Sequence, residues 1–165
     1  MLSPEGLRWA AVAVCAIALA PVLSGCSFLG HGDGSGTSVF DVKAGQCFAA
    51  PTEVKAQISH VDQVSCAQPH DREVYARVSY PSASASAGSS SNGDYPGDSA
   101  VAAFAQGACA QRFGPYVGVS YLDSSLFFTY LAPSARSWQD DDRTVLCFVS
   151  AAGRQLKGSV KGSKQ

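Results

Sequence analysis

Four cysteines, Cys47, Cys66, Cys109 and Cys147, punctuate the last three-quarters of this chain at wide intervals. What they do depends on the compartment, and the N-terminus points to one. Arg8 precedes an apolar run from Trp9 to about Leu23, roughly fifteen residues, the size of a signal-peptide core and short for a membrane span. Cys15 lies inside that run and Cys26 just after it. The four that remain would enter an oxidising compartment and are expected as two disulfides, with three connectivities open. Without the leader and a tether, about 125 residues remain, enough for one small domain. By the loop-entropy relation the bridges preferred below contribute roughly 3 and 4 kcal/mol, on the scale of such a domain's whole stability.

The apolar run closes in Leu23-Ser24-Gly25-Cys26, with small residues directly before a cysteine at the membrane surface. This resembles a bacterial lipobox, in which the cysteine thiol is lipidated and the leader is cut just ahead of it. Residues 1–25 are therefore expected as a signal peptide, Cys26 as the lipidated residue, and 26–38, rich in Gly and Ser, as a flexible tether. A diacylated cysteine gains about 0.8 kcal/mol per buried CH₂, enough for stable anchoring. His31 falls in the tether and is expected to be solvated.

Charge is divided along the rest. From Cys26 to Gly153 seven basic residues face twelve acidic ones, whereas Arg154, Lys157, Lys161 and Lys164 stand in an acid-free end. This pattern lacks the basic, aromatic-lined surface of a nucleic-acid binder. The basic end, 154–165, is expected to be a disordered tail.

Periodicity sketches the domain over 39–153. A short strand is expected near 46–49, and Val61 and Val64 mark another apolar segment. REVYARVSY (72–80) alternates as a half-buried strand. Residues 81–97, Ser/Ala-rich, cannot bury a core and are expected to be a loop. A helix of about fifteen residues should start at Asp98 or Ser99 and stop at Gly114-Pro115, with Val101, Phe104, Ala105, Ala108 and Cys109 on one face. Residues 124–134 and 143–152 read as two more strands. The implied fold is α+β: a small antiparallel sheet with one main helix on one face, stapled by two disulfides. Cys109 on the helix stripe would face Cys147 on the last strand, which favours Cys109–Cys147 and leaves Cys47–Cys66.

The chemistry-bearing residues concentrate in SCAQPHDREV. Cys66 and His70 could begin a zinc site, with His60 recruited, but no second close pair completes it. Gln139 to Arg143, QDDDR, lacks the alternation of a calcium loop and reads as a solvated turn. No GxSxG or SxxK follows the leader, and a Cys66 nucleophile would need a free thiol. Glu73 and Asp142 could be named as a carboxylate pair, but with twelve acids such pairs carry little weight. No metal, no cofactor and no enzymatic activity are expected. In Pro69-His70-Asp71, proline holds its predecessor extended, Asp71 can accept from backbone amides, and His70 can donate to a carbonyl or carboxylate and pin the turn.

AGQCF, VSCAQPHDREVYARV, YPG, the helix carrying AC, and SWQDDDRTVLCFV together resemble the septum-formation-related domain of high-GC Gram-positive bacteria, over about residues 40–150. That family shows Cys-x-x-Pro-His-Asp-x-Glu-Val and Trp-x-x-Gly-Asp-Arg-x-x-x-Cys. Here Asp141 stands where the family often has glycine. The resemblance makes Pro69, His70, Asp71, Trp138, Asp142 and Arg143 structural motif residues and implies that Asp71 and Arg143 meet. It assigns no reaction and no ligand. The expected protein is a lipoprotein on the outer face of the cytoplasmic membrane. It would bind an envelope or division protein, or a wall component, and no nucleic acid. The alternative is an envelope sensor or wall-ligand module, with a hydrolase third.

Overall fold

The alternation in the last strand predicts one buried face, yet both of its faces are buried, and that sets the architecture. The computed structural model describes residues 36–51, 57–81 and 93–165. Expectations for the leader, Cys26, His31, most of the tether and the body of the Ser/Ala loop lie outside them. The described elements are β1 (Thr37–Ser38), β2 (Cys47–Phe48), β3 (His60–Val61), β4 (Gln63–Val64), β5 (Arg72–Ser79), α1 (Asp98–Val117), β6 (Leu126–Leu131), α2 (Ala135–Gln139) and β7 (Thr144–Ala151). Five strands form one antiparallel sheet in the order β4-β2-β5-β7-β6, and β1 pairs with β3 in a small second sheet. The fold is α+β, as the sequence implies. Thr37 and Ser38, assigned to the tether, instead belong to β1.

β7 lies between β5 and β6. Val145, Cys147 and Val149 join the core beneath α1, with Ala105, Cys109, Phe113 and Val117. Leu146 and Phe148 join a second core on the opposite face, with Val39, Val42, Phe48 and Val74. A strand covered on both sides reads as a continuous apolar run, which VLCFV is.

The β5 alternation breaks at a β-bulge. Val74 pairs with Phe148 and Ala76 with Cys147, leaving Tyr75 as the extra residue. Tyr75 and Ala76 therefore both enter the core beneath α1, and its hydroxyl donates to the Cys109 carbonyl at 2.8 Å. Beyond the bulge the phase flips. Arg77 reaches the N-terminal segment, donating to the carbonyls of Phe40 at 2.7 Å and Val42 at 2.9 Å.

α1 is longer than expected. It buries Val101, Ala105, Cys109, Phe113 and Val117 and runs through Pro115 to Gly118, whose φ of 92° and N–H to the Gly114 carbonyl end it. Proline in the last turn removes only one donor, and glycine before it relieves the usual clash. At the other end Gly97, not Asp98 or Ser99, is the cap residue; Asp98 sits in the first turn, where its charge complements the helix dipole.

Both disulfides form as expected: Cys47–Cys66 with Cα atoms 5.2 Å apart, and Cys109–Cys147 with Cα atoms 5.5 Å apart. The second pins α1 to β7. The first closes the segment carrying β3 and β4.

The basic end is not a disordered tail. Leu156 and Val160 are 1% and 2% exposed and belong to the core beneath α1. The Leu156 backbone exchanges two hydrogen bonds with His70, and Gly162 and Lys164 donate to the Tyr116 and Val117 carbonyls. Two apolar anchors among ten polar or small residues leave no periodic signal, so composition alone points the wrong way. Leu156→Ala should cost about 2–5 kcal/mol in urea unfolding, with the slope unchanged. A chain truncated after Gly153 that unfolds at the wild-type midpoint would contradict this packing.

Candidate functional site

The motif residues singled out from the sequence fall into two separate turns at opposite ends of the sheet, and the second borders a cleft through Asp142. The first turn, before β5, carries His70 and Asp71. His70 is fully buried, and its Nδ1 donates to the Gln68 carbonyl at 2.8 Å. Asp71 accepts from the Ala50 amide at 2.7 Å and from the Gln155 amide at 3.3 Å. The turn thereby ties β2 and the C-terminal segment to β5.

Two residues on, Glu73 is fully buried. Its carboxylate accepts from Tyr116 Oη at 2.6 Å, Ser159 Oγ at 2.6 Å and the Val160 amide at 2.8 Å. Among the described residues it has no ion pair. Burial, then the Glu73 hydrogen bond and charge, raises the Tyr116 phenol well above the usual tyrosine range, and burial does the same to Tyr75. Sequence reasoning missed this site because a glutamate in an alternating strand reads as solvent-facing.

The second turn precedes β7. Ser134 caps α2 with a capping box through Ser137. Trp138, nearly buried, meets Tyr80 and Tyr95 edge-on at 5.4 and 5.5 Å. The Arg143 guanidinium stacks 3.7 Å over the Trp138 ring and donates to the Trp138 carbonyl at 2.7 Å. Both side chains also donate to the Gly93 carbonyl, docking the end of the Ser/Ala loop. Asp142 Oδ1 accepts from the Thr144 amide at 2.9 Å. Asp141 has a φ of 60°, the left-handed region that glycine enters freely and aspartate tolerates, which accounts for glycine there in the family pattern.

The expected Asp71–Arg143 pair does not form. β5 and β7 are antiparallel, with Glu73 opposite Val149 and Ser79 opposite Thr144. Asp71 precedes one strand and Arg143 the other, so they sit at opposite ends of the sheet. The same register separates Glu73 from Asp142. The acid nearest Arg143 is the exposed Asp141, at 3.9 Å, a contact worth little. Cys66, the possible zinc ligand, is in a disulfide, and His60 is exposed against Ser59.

On the sheet face opposite α1, a cleft of about 320 Å³ opens between the sheet and the N-terminal segment. Leu131 and Leu146 form its apolar floor, Phe40 and Ile58 one wall, and Arg136, Asp140 and Asp142 a charged rim. A smaller hollow of about 90 Å³ shares Ile58 and Leu131 with it. Phe40 and Phe127 are 53% and 56% exposed. β6 is the edge strand of the sheet.

The family model for Septum formation matches residues 44–165. The chain belongs to the Septum formation family. No curated protein and no solved structure matches it. The Septum formation match takes in the buried C-terminal segment, beyond the span that the motifs alone suggest.

Three outcomes test these assignments. Glu73→Gln keeps the shape but turns an acceptor into a donor facing a donor, so stability should drop by about 1–3 kcal/mol. Because Tyr75 and Tyr116 are held protonated in the folded state, their contribution is intact below the unfolded tyrosine range and is lost as pH rises above it. The melting temperature should fall above about pH 10, less steeply in Tyr75→Phe. Separately, Asp71→Ala and Arg143→Ala should combine additively within about 0.5 kcal/mol in a double-mutant cycle; a larger coupling would mean that the two turns communicate.

Proposed function

We propose that this chain, whose family membership suggests a role related to cell division, acts as a lipid-anchored, extracytoplasmic, non-enzymatic module that binds an envelope or division protein through the cleft opposite α1. The observation that carries the binding reading is the cleft itself: an apolar floor with exposed Phe40 beside it and a charged rim. Such a composition suits a protein segment, with the apolar part supplying affinity and the rim orientation. The anchor reading rests on Leu23-Ser24-Gly25-Cys26, and two bridges in so small a domain support an oxidising location. The non-enzymatic reading is supported by the carboxylates: Glu73 is fully buried, and the sheet register holds it away from Asp142. A wall-ligand module is the second reading, favoured by the Ser134, Ser137 and Thr144 residues that also line the cleft.

Cys26→Ala should move the protein out of the membrane fraction or leave an uncleaved precursor. An intact mass without lipid in wild-type protein would refute the anchor. In the anchored protein, Phe40→Asp should abolish rescue of a division defect in a strain lacking the protein, at an unchanged melting temperature. Full rescue by Phe40→Asp would remove the cleft from the function.

A further inference from the structure

The two disulfides stand in different surroundings. Cys109 and Cys147 are both fully buried, between α1 and β7. Cys47 is equally buried, but its partner Cys66 is partly exposed, in the surface turn closed by the Gln68 amide on the Ser65 carbonyl. Beneath this bridge, a ring nitrogen of His70, a carboxylate oxygen of Glu73 and Sγ of Cys47 lie within 4.8 Å of one another. Glu73 has three donors, and the His70 Nδ1 has the Gln68 carbonyl. The His70 Nε2 is buried without a partner. A buried polar atom left unpaired is uncommon and destabilising, so a built feature that retains one calls for a use.

We propose that Cys47–Cys66 is a thiol–disulfide exchange site, that its co-reactant is a dithiol or a thiol-bearing protein, and that His70 holds the proton for the reaction. The attacking thiolate reaches the Cys66 Sγ, the sulfur of the partly exposed residue. A new S–S bond forms there, the Cys47–Cys66 bond breaks, and its electron pair leaves on the Cys47 Sγ. That thiolate is born close to the Glu73 carboxylate, a like charge in a site poor in water. The imidazole of His70 takes up the proton that the attacking thiol gave off, and the resulting imidazolium faces both anions. The charge of the buried cluster is then the same before and after the step. A second thiolate attacks the mixed disulfide at its outer sulfur and departs as the oxidised co-reactant, leaving Cys66 reduced. Two electrons pass from the dithiol to the bridge. Cys109–Cys147, buried at both cysteines, remains closed. The inference does not depend on the anchor or on the cleft.

The full chain, oxidised, is titrated with dithiothreitol, quenched in acid, alkylated and peptide-mapped. Cys47 and Cys66 should become alkylated while Cys109 and Cys147 stay joined, with opening rates at least about tenfold apart. Glutathione trapping should place the adduct on Cys66. His70→Asn keeps an amide able to reach the Gln68 carbonyl but cannot take a proton, and it should slow opening of Cys47–Cys66 about tenfold, relative to Cys109–Cys147 in the same molecule. Simultaneous opening of both bridges, an adduct on Cys47, or an unchanged rate in folded His70→Asn would each overturn the proposal. Should His70→Asn not fold, the order of opening and the adduct position in the wild type decide alone.

Discussion

A buried carboxylate met by three neutral donors holds three parts of this fold together. Glu73 opens β5, yet its oxygens are claimed by Tyr116 near the end of α1 and by Ser159 and Val160 in the C-terminal segment. Burying a charge is affordable only where donors replace the lost water, and three donors at 2.6 to 2.8 Å do so. The consequence is mechanical. The helix end, the first residues of β5 and the last residues of the chain must be in place together, or one group is left with unmet hydrogen bonds. Leu156 and Val160 then seal the site by joining the core beneath α1.

The rest of the molecule is arranged around a sheet with two covered faces. α1 covers one, and the Cys109–Cys147 bridge fixes its distance from β7. The N-terminal segment covers part of the other with Val39 and Val42, and Arg77 ties that segment down through two backbone carbonyls. The bulge at Tyr75 lets one strand serve both, because it places two successive large or apolar residues under the helix and then turns Arg77 to the far face. Trp138 and Arg143 do a comparable job at the other end, holding the exit of the Ser/Ala loop against Tyr80 and the start of β7.

Covering is incomplete toward β6, and there the cleft lies. Its floor is the continuation of the second core, and its rim comes from α2 and the turn before β7. The motif turn that includes Trp138, Asp142 and Arg143 thus shapes the margin of the cleft through Asp142. The Pro69-His70-Asp71 turn, at the opposite end, instead shapes the buried cluster beside Cys47.

Much of this was legible in the residues. The wide cysteine spacing, the stripe containing Val101, Ala105 and Cys109, and the alternation around Cys147 determined the helix, the strands and both bridges, because periodicity is a local property and a bridge needs only two such surfaces to face each other. Local reasoning also found the turn at His70, and left a carbonyl and a carboxylate both open as partners of its ring, of which the Gln68 carbonyl is the one present. It could not find the Asp71–Arg143 separation, which depends on strand direction: two turns that each precede a strand lie far apart when the strands run antiparallel. Nor could it find the bulge at Tyr75, which changes which face every later residue of β5 takes. The burial of Glu73 and the ordering of residues 154–165 are the same kind of fact. Each needs partners from distant parts of the chain, 43 and 87 residues from Glu73, and no window of sequence contains both ends of such a contact.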